Sequence, residues 1–188
     1  YDFVGGFCLD LPETDEDFYQ SALAFGQFQD QLSDFPADTL YETIPNFHNT
    51  PDRYRIFHEV LEKDPMGRAK DVQAEIQFVQ DRKADCSVAL QALREGVLPL
   101  RVTHNDTKCN NVLFDRTTKD PIAVIDLDTI MPGMSMYDFA DAVRFIANTS
   151  VEDEPDISKV FFDTGKFRAF AKGFIGATHT SLEPVEIS

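Results

Sequence analysis

The sequence predicts an α+β fold dominated by helix. Two observations lead there. Apolar residues recur at helical spacing up to Glu95 and again beyond Ser135, while short extended runs occupy the stretch between. Within that stretch the polar turn 115–120 separates two apolar runs, the pattern of a β-hairpin. The order is helices, one hairpin, then helices. It does not alternate strand and helix, as a parallel sheet would require.

The first helix begins at Thr14, a capping residue followed by three acids, Asp15, Glu16 and Asp17, that suit the positive end of a helix dipole. Phe18, Ala22, Phe25 and Leu32 share its inner face, and Pro36 lies beyond its end. Residues 40–50 have no clean period and read as a loop. Thr50 and Pro51 open a second helix, with Tyr54, Phe57, Val60 and Leu61 as its core stripe. The run 64–67, DPMG, ends it. A further helix or bent pair spans 68–95, with Val72, Ile76, Val79, Ala89 and Leu93 inward and Gly96 just past its end. Strands are expected at 98–103, 111–114 and 121–125. Helices follow at 135–148 and 164–177, the latter carrying Phe167, Phe170, Ala171 and Phe174 on one face, with an acidic linker over 151–158.

Composition narrows the function. The 188 residues carry 17 basic and 33 acidic side chains, a net charge of −16. Such a chain repels phosphate backbones, so nucleic acid is not expected as a partner. No run approaches the roughly 18 apolar residues of a membrane span. Cys8, Cys86 and Cys109 are far apart in sequence, which predicts reduced thiols in a cytoplasmic protein. His48, His58, His104 and His179 lack the spacing of zinc ligands.

The chemistry concentrates in 101–129, RVTHNDTKCNNVLFDRTTKDPIAVIDLDT. His104, Asp106 and Asn111 reproduce the HxDxxxxN spacing of a phosphotransfer catalytic loop, and Asp126 ends the next apolar run where a metal-binding aspartate belongs. With the turn centred between Thr118 and Lys119, residues whose numbers sum to 237 face each other, which pairs Asn111 with Asp126. Oxygen donors brought together in this way suit Mg²⁺. Asp106 is then the base that accepts or orients the proton of an attacking hydroxyl, and Asn111 and Asp126 the ligands of an ion on the phosphates of ATP. Asp128 either holds a second ion or binds one of its waters. Lys108 reaches the transferring group or the acceptor. His104 is expected to brace the loop rather than act as a base, and Asp138 to hold the loop backbone. Cys109 lies inside the loop without any neighbour that would activate a thiolate, and reads as structural.

These residues carry a resemblance. HNDTKCNN, then IDLD, then YDFADAVRF resemble the aminoglycoside phosphotransferase and choline kinase superfamily. ETIPNFHNTPDR, AFGQFQDQLSDFP and VIDLDTIMPGMSMYDFADAVRF resemble, within it, the N-acetylhexosamine 1-kinases. The resemblance implies transfer of the γ-phosphate of ATP to the anomeric hydroxyl of GlcNAc or GalNAc. It implies sugar contacts from Lys108 and Asp126, and lends weight to Asn46, His48 and Asn49 of the 42–50 loop as sugar-binding residues. It also implies a two-lobed kinase-like fold in which 1–188 is a single domain, the C-terminal lobe. No phosphate-covering loop or strand lysine precedes the catalytic loop, so the N-terminal lobe is expected to be missing and the isolated polypeptide to turn over little ATP. Two other readings stay open: a relative acting on an aminoglycoside, choline or homoserine, and a sugar-binding remnant without catalysis.

Overall fold

The computed structural model describes residues 2–10, 12–150 and 154–187. It has the α+β character expected, with helices around two small antiparallel sheets. Seven helices are described: α1 (Asp15–Gln31), α2 (Thr50–Lys63), α3 (Gln73–Asp81), α4 (Val88–Arg94), α5 (Ser135–Ile146), α6 (Thr164–Thr178) and α7 (Pro184–Ile187). The strands are β1 (Arg101–Thr103), β2 (Val112–Phe114), β3 (Pro121–Val124) and β4 (Met131–Gly133), paired β1 with β4 and β2 with β3.

The chain divides into two compact units. The larger holds the described residues up to Thr43 and those from Leu100 onward. Its frame is the pair α1 and α6. Thr14 and Asp17 cap α1 reciprocally, each side chain satisfying the other's backbone amide. Phe18, Ala22 and Phe25 point inward against Phe170 and Phe174 of α6, with Val112 and Phe114 of the hairpin in the same core. Two glycines set how closely the helices approach. A Cβ on Gly26 would stand 2.6 Å from the Ala177 Cβ, and one on Gly173 would stand 2.4 Å from the Tyr19 carbonyl oxygen. Both distances are shorter than atoms tolerate, so the helix contact depends on glycine from either side.

At the other end of this unit Arg101 ties β1 to the last helix. Its guanidinium grips Glu186 at 2.6 and 3.2 Å and also donates to the Ser181 carbonyl at 2.9 Å. Burial alone would raise the Glu186 carboxyl. The Arg101 side chain, the Glu183 amide and the Ser135 hydroxyl outweigh burial and hold it below the ordinary range.

The smaller unit, Ile44–Pro99, carries α2, α3 and α4. The expected 68–95 helix is a bent pair, broken at 82–87. Gly96 does terminate α4, in the left-handed region at φ 71° with its amide on the Leu93 carbonyl. Two expected core residues are corrected: Val60 is 55% exposed and Val72 is 43% exposed, leaving Ile76 as the buried apolar side chain of these helices. Their periodicity is real: the other members of both stripes are buried or half-buried, and one residue of each lies in water.

Three further expectations change. β1 is shorter than 98–103, and its partner β4 has no counterpart among the expected strands. The acidic 151–158 linker lies partly outside the described residues; its later part forms a helical turn at Ile157–Lys159. The hairpin register is shifted. Val112 faces Val124 and Leu113 faces Ala123, while an irregularity at Phe114 pairs it with Pro121. The Asp115 carboxylate accepts the Thr117 and Thr118 amides, which centres the turn one residue earlier than expected, and the bulge then adds one residue to β3. Asn111 therefore meets Ile125, whose amide donates to the Asn111 carbonyl at 2.9 Å, and Asp126 lies one residue beyond.

Candidate active site

The loop between β1 and β2 brings His104, Asp106, Lys108 and Asn111 together, and its backbone closes on a buried carboxylate. Asp138, in the first turn of α5, is fully buried. Its Oδ2 accepts the His104 amide at 2.9 Å and its Oδ1 the Asn105 amide at 2.8 Å, and the Gln29 side-chain amide donates to Oδ2 as well. Burial pushes the Asp138 carboxyl up, against the pull of those donors. Asp141, one turn on, accepts the Thr107 amide at 3.1 Å, and the Thr107 hydroxyl donates to the Asp138 carbonyl at 2.7 Å. The loop is thus clamped backbone first, before any side chain reaches toward chemistry.

His104 is fully buried, with its ring edge-on to Phe25 and Phe28. Its Nε2 faces the Ile125 carbonyl at 2.9 Å, and its Nδ1 faces the Asp106 amide at 3.3 Å. A carbonyl requires a donor and an amide requires an acceptor, so the partners fit the tautomer with its proton on Nε2. A ring committed on both nitrogens has no site left for a substrate proton.

Asp106 is where the side chains turn outward. Asn111 Nδ2 donates to the Asp106 carbonyl at 2.9 Å and to its Oδ2 at 3.0 Å. Lys108 Nζ lies 3.0 Å from the other carboxylate oxygen, Oδ1. The Asp106 side chain keeps 25% of its surface exposed and Lys108 keeps 42%, so this pair is reachable while its supports are not. A cavity of about 680 Å³ opens beside Lys108, its wall carrying Asn110, Arg144, Phe145, Asn148 and Lys166. Asp10, Glu13, Phe18 and Ile146 also line it, so the lining mixes both signs of charge with apolar surface. Arg144 lies over the Phe145 ring, 3.9 Å from its centroid, with Asp141 at 3.3 Å.

Asp126 leaves β3 in the left-handed region, at φ 62° and ψ 59°, and is exposed with its carboxylate capping nothing. Asp128 is exposed too, and its carbonyl accepts the Thr43 hydroxyl at 3.4 Å. A divalent ion fits this set. Asn111 spends its amide nitrogen on Asp106, which leaves its oxygen for a cation, and Asp126 offers an uncommitted carboxylate. Among the described residues no three His, Cys, Asp or Glu converge as metal ligands, so nucleotide oxygens and water would complete the coordination.

Cys109 is buried in the same loop, and burial pushes its thiol up to about 11, which leaves it protonated at neutral pH. Asn46, His48 and Asn49 belong to the smaller unit. There Asn49 caps α2 by accepting the Asp52 amide and donates to the Asn46 side chain at 2.9 Å, while Asn46 adopts φ 61° and His48 packs edge-on to Phe47. Asn49 therefore has a local task that a capping position before Pro51 could have revealed.

Gln29, Asn105, Thr107 and Thr129 also hold the site and were not singled out from sequence. Gln29 carried a signal: it is the polar member of the α1 stripe Phe18, Ala22, Phe25, a position that predicts a buried amide in need of a partner.

No helix among the described residues is long and apolar enough to cross a membrane. Two solved structures share this fold. An aminoglycoside-3'-phosphotransferase of type VIII aligns with 99% of the chain at 19% identity and a TM-score of 0.50. An ethanolamine kinase from Plasmodium vivax aligns with 93% at 16% identity and a TM-score of 0.56. The chain spans 63% and 50% of the length of those two proteins. The sequence model of the phosphotransferase enzyme family, APH, matches residues 10–170, most of the chain and the whole of the loop around Asp106. By that match the chain belongs to the APH phosphotransferase family.

Proposed function

We propose that this chain is the C-terminal, catalytic lobe of an ATP- and Mg²⁺-dependent kinase that phosphorylates a sugar hydroxyl, the C1 hydroxyl of an N-acetylhexosamine. The observation that carries the proposal is the outward-facing Asp106, held by Asn111 on one oxygen and matched by Lys108 on the other. Asp106 orients the acceptor hydroxyl and takes its proton as the oxygen attacks. Lys108 sits close enough to share its charge between Asp106 and an incoming phosphoryl group. Asn111 and Asp126 would hold the magnesium ion, with Asp128 beside them. When bound, the ion neutralises charge developing on the transferred group. The clamp on Asp138 fixes the loop in advance, so little reorganisation is needed as the acceptor arrives.

The finer assignment, to GlcNAc or GalNAc, is supported by the resemblance of the 24–36, 42–53 and 124–145 stretches. Lys108 and Asp126 would contact the sugar in this reading.

Phosphorus NMR tests it on the reading frame that carries this chain, with ATP, Mg²⁺ and either sugar. The expected result is a new anomeric sugar-phosphate resonance. Its absence with both sugars, alongside a phosphate ester on an amino-alcohol or aminoglycoside, would keep the chemistry and replace the acceptor.

A further inference from the structure

Asn105 stands between His104 and Asp106, and the phosphotransfer pattern leaves it without a task. It adopts φ 67° and is 4% exposed. Its Nδ2 donates to the Thr103 carbonyl at 3.2 Å and to the Thr129 carbonyl at 2.9 Å. Its Oδ1 is buried with no hydrogen-bond partner. The amide cannot be turned around, because its oxygen would then face two carbonyls. A glycine would satisfy the left-handed backbone without burying an unpartnered oxygen. What asparagine adds is the pair of bonds, one of them to a residue 24 positions away.

The far end of that bond is informative. Thr129 closes the helical turn that follows Asp126, and its hydroxyl donates back to the His104 carbonyl at 2.7 Å. The His104 ring holds the Ile125 carbonyl on the other side of Asp126. The residues just before the base therefore grip the chain on both sides of the 126–128 segment. We propose that Asn105 is a positioning residue that sets the spacing between the base Asp106 and the 126–128 segment. The role in turnover rests on the phosphotransfer reading above; the tether itself does not.

The test compares Asn105→Gly, which keeps the backbone conformation and removes the tether, with Asn105→Asp, which keeps the shape and sets a carboxylate oxygen against the two carbonyls. Amide hydrogen exchange reads the tether. The Ile130 amide, bonded to Leu127 within the turn, should exchange about tenfold or more faster in Asn105→Gly, while amides of α1 stay unchanged. Steady-state kinetics read the positioning. Turnover should fall about 10–100-fold with KM values shifted less than about threefold, as a small misplacement of reacting groups would cause. Asn105→Asp should lose more than Asn105→Gly on both readouts. Unchanged Ile130 exchange in an active enzyme would overturn the inference, as would a uniform rise in exchange across all elements, which would mark Asn105 as a folding residue only. Local loss of protection in a protein that transfers phosphate to no acceptor would overturn the phosphotransfer reading and the positioning role with it, leaving the tether.

Discussion

The loop around Asp106 and the helices of the smaller unit place polar residues in opposite ways. His104, Asn105 and Thr107 of the loop and Asp138 of α5 are buried, and each has a partner between 21 and 109 positions away. In α2 the polar groups pair locally at the surface: Arg55 with Asp52 and Glu59, and Tyr54 with His58. Long-range buried bonds hold a geometry, because losing one leaves a desolvated group with nowhere to go. Local exposed bonds decorate a helix, because water replaces them at little cost. The candidate site sits where the first kind is concentrated.

The largest effect that follows is at Asp138. Asp138→Ala strips acceptors from two backbone amides and the Gln29 side chain. It should destabilise the protein by about 3 kcal/mol or more, since each buried group left unpartnered costs about 1–3 kcal/mol. Chemical denaturation measures it; a loss too small to resolve would show that the clamp is not what holds the loop.

Of intermediate size is the tie between Arg101 and Glu186. The folded Glu186 carboxyl is held below its unfolded value, so its contribution is full above the unfolded pKa of about 4.3 and is lost as pH falls through the lower folded value. The stability difference between the native protein and Glu186→Gln should be level near neutrality and shrink as the solution is acidified below about pH 4. A difference that grows on acidification would contradict the ion pair. The smallest effect belongs to Arg55→Ala, which should leave the melting midpoint unchanged because Arg55 is exposed and its partners are close in sequence. A clear drop there would erase the contrast between the two regions.

The same contrast explains what was legible in the sequence. The HxDxxxxN spacing was readable because Asp106, Lys108 and Asn111 meet within five residues, so their contacts are encoded by the local turn. The α1 and α6 stripes were readable because helical period survives any partner. The Asn105–Thr129 and Gln29–Asp138 bonds were not, since nothing local announces which distant carbonyl or carboxylate an amide will meet. The hairpin existed as expected, yet its register depended on an Asp115 turn and a bulge at Phe114 that packing decides. β4, three residues containing proline and glycine, has no alternation to betray it. Val60 and Val72 show the converse case, single members of a correctly read period that lie in water.

The central claim is that Asp106 is the base of the phosphotransfer proposed above. The most direct measurement is the rate of sugar-phosphate formation, followed by phosphorus NMR, for Asp106→Asn beside the native enzyme, with thermal unfolding of both recorded. Asn keeps the shape and the Asn111 contact but cannot take a proton, so the rate should fall about 10²–10⁴-fold at an unchanged melting temperature. A variant that still phosphorylates at the native rate would contradict the account.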